Sequence, residues 1–124
     1  MTISTLNFID ANIFLERWSN VKAASFLDKL DPSIHCTSVL VLSEVSYTMQ
    51  NKRVEKVFEC IRDIMGCVKV YDLCQVDLFN ALKNPVDISF NDKLHIEVMK
   101  RNGVSTIVSY DKDFDELEIK RVEP

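Results

Sequence analysis

Short apolar runs alternate with longer amphipathic segments along the chain. The amphipathic segments place apolar side chains three and four positions apart, the spacing of a helix that packs one face against a core. The short runs have the length and the residue types of buried β-strands. Strands are predicted at 6–9, 35–37, 68–71, 105–109 and 118–122, and helices at 13–18, 20–30, 38–50, 54–65, 75–84 and 91–102. This order predicts an α/β fold: a three-layer α/β/α sandwich around a mostly parallel central sheet of four or five strands.

The predicted helix ends carry capping and stop signals. Asn12 and Ser38 are residue types that cap helix N-termini, and Asn20 begins the second predicted helix. Gly66 and Gly103 directly follow the fourth and sixth predicted helices, and glycine commonly ends a helix. The chain contains only 2 Gly and 3 Pro, so we expect regular elements joined by short loops.

The composition is that of an ordinary globular protein. The chain has 124 residues, of which 47% are hydrophobic and 27% are charged, and this length is typical of one domain. A single domain over residues 1–124 is therefore expected. No apolar run approaches the roughly 20 residues of a membrane span, and residues 1–6 lack the basic start and apolar core of a signal peptide. We expect a cytoplasmic protein with no membrane contact.

The net charge limits how the chain can handle nucleic acid. It has 15 basic and 19 acidic residues, a net charge of -4. A protein that binds nucleic acid by neutralising phosphates alone would usually be basic. For a polyanionic substrate, a bound divalent cation would offset the repulsion.

The cysteines and histidines give no sign of a soft-metal site or of covalent catalysis. The four cysteines, at 36, 60, 67 and 74, form no C-x-x-C pair, so zinc ligation is disfavoured and free, largely buried thiols are expected. Neither His35 nor His95 has a second histidine at ligand spacing, and neither has an acidic companion in the motifs below. No glycine-rich phosphate loop is present, which disfavours ATP or dinucleotide binding.

Four acidic residues stand where a parallel sheet gathers its functional groups. Asp10 ends the first predicted strand and Asp111 follows the fourth, so both project from the carboxyl edge. Glu44 lies on an apolar helix stripe, where its charge needs a cation, a Lys or Arg partner, or a place at the rim of the core. Asp92 lies in the first turn of a helix, a position that the helix dipole also favours. Each acid alone has a structural explanation, but together they predict an oxygen-ligand site for Mg²⁺ or Mn²⁺.

Four segments resemble motifs of the PIN domain family. Residues 8–12 (FIDAN) look like its opening strand, and residues 38–45 (SVLVLSEV) are similar to its second motif, a glutamate within an apolar helix. Residues 91–95 (NDKLH) match the third acid, and residues 108–114 (VSYDKDF) match the fourth. The motif order and the chain length agree with the family, and the last motif is the most specific.

The resemblance implies a metal-dependent endoribonuclease, and for a short chain of this kind a VapC-like toxin. The implied catalytic and metal-binding residues are Asp10, Glu44, Asp92 and Asp111, with Asn12, Ser109 and Asp113 in supporting positions. The implied partners are an RNA substrate, Mg²⁺ or Mn²⁺, and an antitoxin protein. Lys93 and Glu97 stand where the family often has small residues.

Two other functions remain open at this point. A Mg²⁺-dependent phosphohydrolase also places Asp at the end of its first strand, but it would prefer a second acid where this chain has Asn12. An interaction or RNA-processing module with the same fold and weak activity is the non-enzyme alternative. Four intact acids count against the module, because an idle pocket has no need to keep their mutual repulsion.

The large apolar side chains exceed what a thin sheet of this size needs. Trp18, Phe26, Phe58 and Phe79 all lie on predicted helices. Exposed apolar patches of this kind usually mark interfaces. We therefore expect a homodimer or a larger assembly, as the family resemblance also implies.

Overall fold

The computed structural model describes residues 4–124 and has a five-stranded sheet at its centre. Residues 1–3, part of the segment on which the signal-peptide prediction rests, lie outside the described residues. The strands are β1 (Asn7–Ile9), β2 (His35–Ser38), β3 (Lys69–Tyr71), β4 (Thr106–Val108) and β5 (Lys120–Val122). Their order is β3-β2-β1-β4-β5, and each neighbouring pair in it is parallel. The predicted α/β fold with a parallel sheet is confirmed.

Six α-helices and two short 3-10 helices connect the described strands. The α-helices are α1 (Ala11–Leu15), α2 (Val21–Leu27), α3 (Val39–Asn51), α4 (Val57–Met65), α5 (Gln75–Lys83) and α6 (Phe90–Arg101). The 3-10 helices are at Glu16–Trp18 and Lys112–Glu116. Ser38 caps α3, as predicted, and Asn20, predicted as the first residue of the second helix, caps α2; both accept hydrogen bonds from backbone N–H groups of the first helical turn.

Two predicted helix starts are wrong in detail. Asp10, and not Asn12, caps the first helix, because its carboxylate accepts the N–H of Ala11. The fourth helix starts three residues later than its apolar pattern predicts, since Lys56 adopts the left-handed backbone conformation with φ 56°. Gly66 ends that helix as predicted, but at φ -77°, a conformation open to any residue.

Two sets of helices cover the sheet. Helices α1 to α4 lie in the connections from β1 to β2 and from β2 to β3, whereas α5 and α6 carry the chain back from β3 to β4. Because connections between parallel strands are almost always right-handed, these two sets cover opposite faces. The helix contacts agree, since α1 packs on α3, α3 on α4, and α5 on α6. The result is the predicted three-layer sandwich.

The core lies between the sheet and both helix layers. Its largest buried side chains include Phe8, Ile9, Ile13, Phe14, Met99, Ile107 and Phe114. Trp18, Phe58 and Phe79 are each more than half exposed, while Phe26 packs partly buried against the core.

Burial raises the pKa of the Cys36 thiol to about 12, but Cys67 is exposed, contrary to the expectation of buried cysteines. Within residues 4–124, no helix is both long and apolar enough to cross a membrane.

The strand order reverses direction between β1 and β4. The chain moves outward from β1 through β2 to β3 and then returns to place β4 on the other side of β1. The connections that leave two such strands diverge to opposite faces, which opens a crevice at their carboxyl ends. Asp10 follows β1 directly, and Ser109 follows β4.

Candidate functional site

Asp10 is a buried carboxylate held by three donors. It lies at the end of β1 with only 5% of its surface exposed. Its Oδ1 accepts the N–H of Ala11 at 2.8 Å. Its Oδ2 accepts the Ser109 hydroxyl at 2.7 Å and the Asn12 amide at 3.2 Å. Burial raises the pKa of Asp10, and the hydrogen bond from Ser109 opposes that rise.

Ser109 joins the first strand end to the fourth. Besides donating to Asp10, its Oγ accepts the Asn12 side-chain amide at 3.1 Å and the backbone N–H of Asp111 at 3.0 Å. The Asn12 Oδ1 in turn accepts the N–H of Tyr110 at 3.2 Å. The structure therefore places two of the three predicted supporting residues, Asn12 and Ser109, between the acids of β1 and β4.

Three carboxylates converge beside this network. Asp92, Asp111 and Asp113 each offer an oxygen, and these oxygens all lie within 4.8 Å of one another. Asp92 lies in the first turn of α6, and the Asp111 Oδ1 accepts the N–H of Asp113 at 2.9 Å. The pKa of Asp92 is raised to about 6, chiefly by burial and also by the nearby charges of Asp10 and Asp111, against the opposing effects of a hydrogen bond with Ser89 and the charge of His95.

Glu44 contacts α6 and is not part of this three-carboxylate cluster. It lies on α3, where its Oε1 is 2.8 Å from the Nε2 of His95 and its Oε2 accepts the Asn91 amide at 3.3 Å. Its charge contributes to the raised pKa of Asp10. The partner expected for Glu44 was a cation, a Lys or an Arg, whereas the partners found are an imidazole and an amide.

His95 is the residue that the sequence analysis missed. Its side chain is 1% exposed, its ring lies 5.9 Å from the ring of Phe8, and its Nε2 is 3.9 Å from the Oδ1 of Asp10. The expectation that neither histidine has an acidic companion is therefore wrong for His95. The available signal was its position three residues after Asp92, which places both side chains on one face of a helix. Among the described residues its buried Nδ1 has no hydrogen-bond partner, and neither has the Glu44 Oε1, so the 2.8 Å approach of Nε2 to that oxygen is a close polar contact and not an aligned hydrogen bond.

The comparisons with known proteins identify the family. The chain matches the PIN domain model over residues 8–120. It belongs to the PIN domain family. No curated protein sequence matches this PIN domain.

Solved structures share the fold of this PIN domain at low sequence identity. The VapC20 toxin of Mycobacterium tuberculosis, described as cleaving the sarcin-ricin loop, has a TM-score of 0.77 at 19% identity, covering 94% of this chain and 98% of that one. VapBC2 from Rickettsia felis, bound to a promoter DNA fragment, has a TM-score of 0.73 at 15% identity, with 95% and 98% covered. DNA-bound VapBC from Salmonella typhimurium has a TM-score of 0.72 at 14% identity, covering 95% of this chain and 98% of that one. At these identities the likeness shows the fold.

The two residues that depart from the family pattern lie away from the acids of this PIN domain. Glu97 is buried, lies 3.7 Å from the Lys100 ammonium and lines a groove between α5 and α6. The Lys93 Nζ donates to the carbonyl of Asn84 at 2.7 Å. Both side chains thus serve the packing of α6 against α5 and its following loop.

The donor set suits a hard cation. Asp10, Asp92, Asp111 and Asp113 present carboxylate oxygens, the ligands that Mg²⁺ and Mn²⁺ prefer. Burial, with a smaller effect of the Asp10 and Asp111 charges, raises the pKa of Asp92, so its ionised form is costly without a cation. A divalent cation would offset that cost, because it stabilises the ionised carboxylates. The residues present therefore fit such an ion.

Proposed function

We propose that this PIN domain is a metal-dependent endoribonuclease that hydrolyses RNA phosphodiester bonds and acts as the toxin of a toxin–antitoxin pair. The observation that carries the proposal is the convergence of Asp92, Asp111 and Asp113 beside buried Asp10 at the strand-order reversal. Family membership supports a nuclease. The toxin role is supported by the similar fold of VapC20, a toxin described as cleaving an RNA loop.

The proposed metal-binding residues are Asp10, Glu44, Asp92 and Asp111, with Asp113 close enough to join them. When bound, Mg²⁺ or Mn²⁺ lowers the pKa of a coordinated water and neutralises charge on the scissile phosphate. The chain's own residues orient the acids: Ser109 and Asn12 hold Asp10 by its Oδ2. His95 and Asn91 approach the two oxygens of Glu44.

The proposed partners are RNA, an antitoxin protein and a second copy of this chain. The antitoxin is supported by the similar folds of VapBC2 and of FitAB, both solved bound to DNA. Self-association is supported by α5, on which Val76, Phe79 and Leu82 are all about half exposed or more. Apolar side chains in such a row usually mark an interface.

The test is cleavage of a mixed single-stranded and looped RNA pool by the purified chain, with Mg²⁺ or Mn²⁺ and with EDTA. We expect cleavage only with the metal, and loss of cleavage in Asp92→Asn and Asp111→Asn. Glu97→Gln is the matched control, because it removes one negative charge from α6 outside the acid cluster. Undiminished cleavage in EDTA would remove the metal mechanism. Metal binding without RNA cleavage would favour the interaction module, and hydrolysis of small phosphoesters alone would favour the phosphohydrolase.

A further inference from the structure

The turn after β4 carries much of the proposed acid site. Ser109, Asp111 and Asp113 follow one another at alternate positions of this turn: Ser109 follows β4, Asp111 caps the 3-10 helix Lys112–Glu116, and Asp113 lies in its first turn. Phe114, with no exposed surface, anchors the middle of the segment in the core. The backbone N–H of Ser109 donates to the carbonyl of Val122 on β5 at 3.0 Å. The position of the acids therefore depends on how β5 holds this turn.

Arg121 on β5 contacts both ends of the turn through one guanidinium group. Its Nη1 donates to the carbonyl oxygen of Ser109 at 3.0 Å. Its Nε and Nη2 donate to the two carboxylate oxygens of Asp115 at 2.7 and 3.2 Å. A third partner, Glu123, lies outside the turn and accepts from Nη1 at 2.6 Å. The Arg121 side chain is only 12% exposed, whereas its two acidic partners are about half exposed.

We propose that Arg121 is a positioning residue for the acid site: by bridging Ser109 and Asp115 it fixes the turn that presents Asp111 and Asp113 to Asp92. This inference rests on the proposed function, because it assigns the bridge to a metal-dependent site. The planar guanidinium donates in several fixed directions at once, so it can hold a carbonyl and a carboxylate together. The Ser109 end matters most, since that residue also donates to Asp10 and accepts from Asp111.

The direction in which metal affinity changes when Arg121 is removed distinguishes a positioning role from a simple effect of its charge. A positive charge near a cluster of carboxylates repels a divalent cation, so its removal would tighten metal binding if charge alone acted. Loss of the bridge has the opposite consequence, because the acids of the turn would no longer be held together. Lysine keeps the charge but cannot reproduce the two-ended contact.

The experiment measures Mn²⁺ binding to the full chain, from the electron paramagnetic resonance signal of free Mn²⁺. We expect Arg121→Ala, Arg121→Lys and Asp115→Ala to weaken the affinity about tenfold, as loss of a residue that orients metal ligands commonly does. Glu123→Ala is the matched control: it removes an equally exposed carboxylate from the same guanidinium but leaves the bridge. Its affinity is expected to stay within about twofold, because exposed ion pairs contribute little. The Mn²⁺ concentration for half-maximal RNA cleavage should rise in the same three variants.

Three results would overturn these claims in different ways. Arg121→Ala that binds Mn²⁺ as tightly as the parent, or more tightly, removes the positioning role and leaves the proposed function intact. Equal losses in Asp115→Ala and Glu123→Ala would show a charge effect and also remove it. A parent chain that binds no Mn²⁺ overturns the proposed metal site itself. Because Asp115 is exposed, its variant decides the question if Arg121→Ala does not fold.

Discussion

The Nε2 of His95 lies 2.8 Å from the Oε1 of Glu44 and joins the two helix layers at the carboxyl edge of the sheet. His95 is on α6, which covers one face, and Glu44 is on α3, which covers the other. The imidazole is buried, and the Glu44 Oε1 is buried with it. A carboxylate oxygen in such a place is costly unless a polar group faces it.

The first prediction concerns this pair. His95→Phe should lower the free energy of unfolding by about 1–3 kcal/mol, because it puts an apolar ring in place of the polar group that faces the buried Glu44 Oε1 at 2.8 Å. Glu44→Gln should lower the free energy of unfolding less in the His95→Phe background than in the parent. A double-mutant cycle with urea unfolding measures this difference. His35→Phe is the control: the Nδ1 of His35 accepts the backbone N–H of Asp31, so the effects of His35→Phe and Glu44→Gln on the free energy of unfolding should add. Additive effects of His95→Phe and Glu44→Gln would show that the two side chains are not coupled.

The second prediction is a pH dependence set by Asp92. Its pKa is raised from 3.8 to about 6, so between these values the folded state holds a proton that the unfolded chain has released. Metal-free stability should therefore fall as pH rises from about 4 to about 6, by at most about 3 kcal/mol for this group and by roughly 2 kcal/mol once solvent screening of the partly exposed carboxyl is included. Asp92→Asn should remove that fall and melt higher than the parent at pH 7 in EDTA.

Thermal melts at pH 4.5 and pH 7, in EDTA and in Mg²⁺, measure this effect; the lower pH lies within the window of about 4 to 6. Mg²⁺ at a hundredfold excess over its dissociation constant should restore about 2.7 kcal/mol to the parent at pH 7 and less to Asp92→Asn. Asp63→Asn, an exposed acid on α4, is the charge-matched control. If Asp92→Asn melts at a lower temperature than the parent in EDTA at pH 7, the ionised Asp92 carboxylate does not destabilise the metal-free fold.

The strand ends and the helix faces could be predicted from the sequence because they depend on local patterns. Asp10 and Asp111 follow apolar runs, and parallel strands bring such ends to one edge without any knowledge of side-chain contacts. Asp92 could be placed on α6 for a similar reason, since its helix has a clear start. The left-handed backbone at Lys56 could not be predicted, because nothing about a lysine indicates it.

The contacts across the sheet could not be predicted from local patterns. The approach of His95 to Glu44 depends on how far α3 and α6 extend beyond the strand ends, a tertiary property. Arg121 belongs to a strand that the apolar pattern alone predicts weakly, and its bridge to Ser109 spans a turn whose conformation the sequence does not reveal. Asp113 was assigned a supporting position, but the backbone of the turn places its carboxylate with those of Asp92 and Asp111.

The third prediction concerns self-association through α5. Phe79 and Leu82 are 58% and 74% exposed on this helix. Sedimentation should find a dimer or larger assembly at tens of micromolar, well above an ordinary dimer constant of roughly a micromolar or less. Phe79→Glu with Leu82→Glu should give a monomer, because buried carboxylates would oppose the interface. Val21→Glu, at an exposed position of α2, is the control and should not change the mass of the assembly. A monomeric parent chain would contradict this prediction.

The last prediction concerns the hydroxyl that links Asp10 to Asp111. Ser109 is fully buried, and its donation to the Asp10 Oδ2 lowers the pKa of that carboxyl against the stronger effect of burial. In Ser109→Ala the pKa of Asp10 should therefore rise further. The hydroxyl stabilises the charged form of Asp10. Its loss should therefore lower the free energy of unfolding by about 1–3 kcal/mol at pH 7 and by less at pH 4. Urea unfolding in EDTA at the two pH values measures the difference, with Ser46→Ala on the exposed face of α3 as the control.

RNA cleavage by Ser109→Ala should also require a higher pH than cleavage by the parent, because Asp10 must lose its proton before it can bind a cation. Equal costs at both pH values, with an unchanged pH profile of cleavage, would show that Ser109 only fills space between the two strand ends.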